Sequence, residues 1–146
     1  MTRKKKLIAL SSLAIAVAMT IGLYLLWREH KEIENVAEWI EGIGGNITYQ
    51  YPAWIYKFPS AMQTCVRNVI SKDITGVYLS FTDVKDISPL KKLNQLENLY
   101  LSRTKVNDIK PLEKLTNILN LGLAGTPVSS EQLKELMTKI EGLIIY

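Results

Sequence analysis

From Ile74 onward, apolar side chains recur at fixed positions of a 22-residue block, copied at 74–95, 96–117 and 118–139 and begun again at 140–146. Position one holds Ile74, Leu96, Ile118 and Ile140, position four Val77, Leu99, Leu121 and Leu143, and position six Leu79, Leu101, Leu123 and Ile145. Apolar residues at four and six around a variable residue alternate as a strand does when every second side chain points inward. Each block therefore predicts one short strand. Position nine is Thr82, Thr104 and Thr126, followed two residues on by Val84, Val106 and Val128. A short unit written at a fixed period buries its apolar face only by stacking on its copies, which predicts a solenoid.

The second half of the block carries Asp86, Ile87, Ser88, Pro89 and Leu90, then Asp108, Ile109, Lys110, Pro111 and Leu112, with Leu93 and Leu115 three residues further on. Proline fits the first turn of a helix, so a return of one or two helical turns is expected. In the third block Ser129, Ser130, Glu131 and Gln132 precede Leu133, Leu136, Met137 and Ile140, the pattern of a capped and longer α-helix.

Together these residues spell L-x-x-L-x-L-x-x-T-x-V, and residues 74–146 resemble leucine-rich repeat proteins of the short bacterial 22-residue, internalin-like class. The resemblance implies an α/β solenoid with a short parallel sheet. The family has Asn or Cys where this chain has Thr82, Thr104 and Thr126. It therefore implies a side-chain ladder in which a hydroxyl, with fewer donors than an amide, bonds neighbouring turns more weakly.

Upstream, residues 28–41 hold no Gly or Pro and place Ile33, Val36, Ala37 and Ile40 on one side, with Glu32, Glu34, Glu38 and Glu41 elsewhere. They predict an amphipathic helix that ends before Gly42, Gly44 and Gly45. Residues 28–45 are thus an amphipathic helix and stalk. Residues 46–51 alternate like an edge strand, and Ser60 with Gln63 opens a helix whose apolar stripe is Met62, Cys65, Val66, Val69 and Ile70. The first strand of a solenoid needs cover, and residues 46–73 suit an N-terminal cap of the repeats.

Residues 7–27 contain no charged side chain and are long enough to cross a bilayer as one transmembrane signal-anchor helix. Arg3, Lys4, Lys5 and Lys6 before them favour a cytoplasmic tail at 1–6 and a repeat domain on the periplasmic or extracellular side, with Tyr24 and Trp27 at the far interface. The expected product is a single-pass protein of the cytoplasmic membrane. The alternative is secretion after signal cleavage near Ala18, where Ala16, Val17 and Ala18 supply a small-x-small pattern. Apart from Gly22 nothing between residues 7 and 41 breaks a helix, so span and amphipathic segment are expected to run on as one rod, with the repeats close to the membrane.

Charge then changes meaning. The formal net charge of +4 looks basic, but Arg3, Lys4, Lys5, Lys6 and Arg28 sit in the first 28 residues, leaving 13 basic against 14 acidic side chains over 29–146. Without a clustered basic face, no nucleic acid partner is expected. His30 and Cys65, the single histidine and cysteine, lie on separate helices without an orienting third group, so neither a triad nor a thiol dyad is expected. Cys65 suits packing on an apolar stripe. Asp83, Asp86 and Asp108 occupy turn positions, where carboxylates cap turns. No enzyme activity, metal or cofactor is expected.

In the family the strands line a concave face, which gives columns Gly76/Asn98/Asn120/Gly142, Tyr78/Tyr100/Gly122/Ile144 and Ser80/Ser102/Ala124/Tyr146. Partner-binding candidates are Tyr78, Asn98, Tyr100, Arg103, Asn120, Ile144 and Tyr146, a composition suited to binding hot spots. The alternative for Tyr78 and Tyr100 is cross-strand packing on each other with no partner. Residues 143–146 form an apolar strand, an edge at which a second copy or another protein can pair, unless the longer third helix shields it. The chain is expected to be a non-enzymatic adaptor or scaffold binding a protein or cell-envelope component through the concave face and the lipid bilayer through residues 7–27. The alternative is an accessory structural subunit of a larger membrane complex, held by its transmembrane helix.

Overall fold

The computed structural model describes residues 3–63 and 73–146, with side chains from residue 17 onward except Leu26 and Trp54. The chain divides into residues 1–32 and residues 33–146. The first part is helical from Arg3, the start of α1 (Arg3–Gly42). Met19, Ile21, Leu23, Tyr24, Leu25 and Trp27 are all exposed there. Thr20 Oγ1 donates to the Val17 carbonyl at 2.8 Å, so its hydroxyl is satisfied on its own helix. The Tyr24 and Trp27 rings lie 6.2 Å apart. Among the described residues no helix is long and apolar enough to cross a membrane. Side chains 7–16, the first part of the expected span, fall outside that description.

In the second part, five strands lie in the order β1 (Asn46–Gln50), β2 (Asp73–Tyr78), β3 (Asn98–Tyr100), β4 (Asn120–Gly122) and β5 (Ile144–Ile145). β2 to β5 are parallel, and β1 covers the outer edge of β2 antiparallel, with an irregularity between Thr48 and Tyr49. Parallel strands need a crossover, and here it is short. 3₁₀ turns at Ser88–Lys92 and Lys110–Leu112 each carry a proline in their first positions. The third return is an α-helix, α2 (Ser130–Lys139), whose N-cap Ser129 accepts from the Gln132 N–H at 3.3 Å.

The repeated apolar positions form one core. Ile74, Leu96 and Ile118 stack, as do Val77, Leu99 and Leu121, Leu79, Leu101 and Leu123, and Leu90 and Leu112, all buried. Leu99 is in register with Val77 on one side and Leu121 on the other and shares their core, so each block is stable only between its copies. The N-terminal end of this core is closed by Val36, Ala37 and Ile40 from the last turns of α1. That helix runs through Gly42 instead of ending before it. Gly44, at φ +80°, and Gly45 return their N–H groups to the carbonyls of Glu41 and Ile40, a Schellman stop in which the glycine able to take the left-handed conformation sets the end. Residues 60–63 are helical, but the Pro59 carbonyl accepts the first bonds, and Gln63 Nε2 donates to the Phe58 carbonyl, so Ser60 is not the cap. Cys65, Val66, Val69 and Ile70 lie outside the described residues.

Two expectations need correcting. The threonines build no ladder between turns: Thr82, Thr104 and Thr126 each donate Oγ1 to the carbonyl three residues back, Leu79, Leu101 and Leu123, at 2.7, 2.8 and 2.7 Å. A hydroxyl on a short stem closes its own turn before it reaches the next. The fourth block is also out of the 22-residue phase. Asn120 pairs with Ile144 and Leu121 with Ile145, so the last period is 24 residues. An α-helix rises about 1.5 Å per residue where a 3₁₀ turn rises about 2.0 Å, so the helical return of the third block takes up more chain. Ile145 therefore occupies position four. Leu136 within α2 and its C-cap Ile140 are buried while Met137 is exposed.

Candidate functional site

The strands are too short to present more than two or three residues each, and the parallel register turns those residues into columns across the sheet. With the observed pairing, the first column is Gly76, Asn98, Asn120 and Ile144. The second is Tyr78, Tyr100 and Gly122, continued by Tyr146, whose N–H and carbonyl bond Leu121 and Leu123. Ile144 therefore lines up with the asparagines and Tyr146 with the tyrosines, each one column away from where a strict 22-residue count puts it.

The asparagines do what the threonines do not. Asn120 Nδ2 donates to Asn98 Oδ1 at 2.8 Å, and the Tyr146 hydroxyl donates to Asn120 Oδ1 at 3.3 Å. On the outer side of the block, Asn117 Nδ2 donates to the Asn94 carbonyl at 2.8 Å. Amide ladders that bridge repeats are thus present, but on the displayed face and at the block boundary.

The Tyr78 and Tyr100 rings stack with centroids 5.2 Å apart and planes 12° off parallel. Tyr100 leans over the next repeat: a Cβ built on Gly122 would lie 2.9 Å from its Cδ1. The glycine leaves the gap into which the ring settles. Packing on each other and display to solvent are both satisfied, since Tyr78 remains 42% exposed and Tyr146 63%.

At the C-terminal ends of the strands a further column runs through Phe81, Arg103 and Gly125. All three adopt left-handed backbone, with φ of +64°, +56° and +73°. The Arg103 guanidinium sits 5.4 Å from the centre of the Phe81 ring, within cation–π range. Beside it, Lys105 Nζ bonds Asp83 Oδ1 at 2.7 Å, and this bond holds the Asp83 carboxyl below its usual range. Asp86 and Asp108 cap their turns, accepting from the N–H of Ser88 at 2.8 Å and of Lys110 at 2.9 Å.

Of the seven residues singled out in the sequence, Tyr78, Asn98, Tyr100, Asn120, Ile144 and Tyr146 fall in two adjacent columns, with Arg103 at their rim. Phe81, 74% exposed, is the residue that sequence reasoning missed. It occupies the same block position as Arg103, so extending the columns by one residue finds it. Among the described residues no group of three or more His, Cys, Asp or Glu could hold a metal ion.

No family model matches the chain, and no curated protein sequence matches it. Among solved structures it is similar to internalin C2 of Listeria monocytogenes, at 22% identity and TM-score 0.38 over 47% of this chain and 39% of that one. It is also similar to the internalin InlF of Listeria monocytogenes, at 24% identity and TM-score 0.37 over 62% of this chain and 37% of that one. The chain spans about two fifths of the length of these structures.

Proposed function

We propose that this is a membrane-anchored leucine-rich repeat protein that works without chemistry, as an adaptor or scaffold whose strand columns bind a protein or cell-envelope component outside the cytoplasmic membrane. The observation that carries the proposal is the stacked pair Tyr78 and Tyr100, with Tyr146 further along the same column, beside the bonded amides of Asn98 and Asn120. Tyrosine offers broad contact area at low rotamer cost, and residues held by their neighbours lose little further freedom on binding. The uncharged run at 7–27 supplies the bilayer anchor, and the basic residues before it place the N-terminus in the cytoplasm.

The test is capture of whatever binds the intact chain in gently solubilised membranes, repeated with Tyr78→Ser plus Tyr100→Ser. Loss of the co-purifying component, with an unchanged unfolding transition, supports the concave face; undiminished capture sinks it. Protease added to cells stripped of their outer layers should remove the repeats. Protection would put them in the cytosol, and their appearance in the medium would favour cleavage near Ala18.

The exposed apolar side chains of Met19, Ile21, Leu23 and Leu25 favour a second reading, an accessory subunit whose helix packs inside a larger membrane complex. Replacing residues 7–27 with an unrelated apolar helix separates the two: an adaptor keeps its partner, whereas a subunit leaves its complex.

A further inference from the structure

We infer that the rim formed by Phe81 and Arg103 captures a carboxylate, and that the partner of the concave face is a protein presenting an extended acidic segment with an apolar residue next to the acid. The inference rests on the adaptor reading and names the chemistry of its partner.

Charge comes first. Lys105 is matched by Asp83 and Lys139 by Glu113 and Glu135, whereas Arg103 forms no ion pair among the described residues and makes its side-chain contact with an aromatic ring. A guanidinium resting on a ring keeps its N–H edge free, and that planar fork fits the two oxygens of a carboxylate. Phe81, whose ring lies under that guanidinium, is still 74% exposed and offers an apolar surface beside the cation.

The backbone supplies a second, independent observation. The block position needs φ near +60°, which glycine takes freely and which the third repeat fills with Gly125. In the first two repeats the same position carries Phe and Arg, large side chains in a conformation that disfavours them. Strain of this kind in an exposed residue points to a task for the side chain. Gly125 also lets the arginine stem lie flat, since a Cβ there would come 3.3 Å from Arg103 Cγ. The stacked Tyr78 and Tyr100 continue the same surface toward the sheet, so a chain laid along it would meet apolar contact on one side and the cation on the other.

The probe is an array of extended peptides, randomised on both sides of a fixed central pair that is Phe-Glu in one set and Phe-Gln in the other, offered to the full chain in detergent. The Glu set should retain the chain about tenfold more strongly, the scale of a charge-assisted bidentate bond. That preference should fade with added salt, vanish in Arg103→Gln and weaken in Arg103→Lys, which keeps the charge but not the fork. Arg103→Gly removes the side chain and the backbone strain together, so it should stay folded and also lose the preference. Equal retention of both sets, a preference that survives Arg103→Gln, or retention by uronic acid oligosaccharides in place of peptides would each overturn the inference. If neither set is retained while membrane capture still depends on Tyr100, the acidic partner is wrong and the adaptor reading stands. If Tyr100→Ser changes nothing anywhere, the adaptor reading is what falls.

Discussion

Two glycines around the end of α1, Gly42 and Gly45, show how single residues are fixed by space. Gly45 has no room: an added Cβ would lie 2.5 Å from Leu79 Cδ2, 2.7 Å from Ile40 Cγ2 and 3.0 Å from the Ile40 carbonyl oxygen. Both side chains are buried and cannot swing away, so Gly45→Ala should cost about 1–3 kcal/mol through overpacking. Gly42 meets nothing within 4 Å and is helical. Gly42→Ala should therefore gain about 0.5–1 kcal/mol from reduced chain entropy. Urea unfolding of the two variants should shift in opposite directions, and shifts of the same sign would refute the packing account. Asp86 gives a residue-scale pH dependence. The Ser88 hydroxyl and N–H hold its carboxyl below the usual range. A carboxylate with a lowered folded value adds stability above its unfolded value, near 3.9, and loses it as pH falls through the folded one. Asn can cap the same turn without titrating. Wild type should thus exceed Asp86→Asn in thermal midpoint near neutral pH, and the gap should close in acid. A gap that is constant with pH would sink the assignment.

At the scale of elements, the third return is what sets the C-terminal register. Ser129 caps α2 through a fairly long 3.3 Å contact to the Gln132 N–H, so Ser129→Ala should cost about 0.5–1 kcal/mol, the low end of cap losses. Lys139 then ties the helix to the preceding return, bonding Glu113 at 2.8 Å and Glu135 at 2.9 Å. If the cap matters locally, Ser129→Ala should speed amide exchange in α2 and β5 and leave β2 and β3 unchanged; uniform acceleration would refute a local role. This element also shows where the sequence stopped being legible. The strands, the proline turns and the capped helix were readable because the period of apolar residues reports which face is buried. The length of the third period was not, because residues 118–139 keep the positions of their leucines while the path of the return changes. Likewise the threonines matched a ladder position in sequence, and only the hydroxyl's reach decided that they bond within their own turn. The displayed columns were readable as far as Tyr100 and Asn120, and the place of Ile144 and Tyr146 followed only from the helix that precedes them.

For the molecule as a whole, the decisive property is that stability is a sum over neighbours. The central block buries Leu96, Leu99, Leu101, Val106, Ile109, Leu112 and Leu115 against the copies on either side. Inserting a second copy of residues 96–117 after Asn117 adds one more such interface without disturbing the pairing of the old ones. At a typical net of about 0.1 kcal/mol per residue, the extended chain should be more stable by roughly 1–3 kcal/mol, with a higher thermal midpoint and one cooperative transition. The starting point of the copy should not matter, so duplicating residues 85–106 after Val106 should do the same. Duplicating only residues 96–106 sets a strand against a return and should lower the midpoint. If the half block were tolerated as well as the whole one, a nearest-neighbour solenoid could not be the source of stability. The 96–117 insertion also adds a further Tyr100, Asn98 and Arg103 in phase, so it lengthens the displayed columns by one step. An adaptor that reads its partner along those columns should bind the lengthened face at least as well as the original, because each added contact extends the same surface. A chain that is only an accessory subunit should bind no differently.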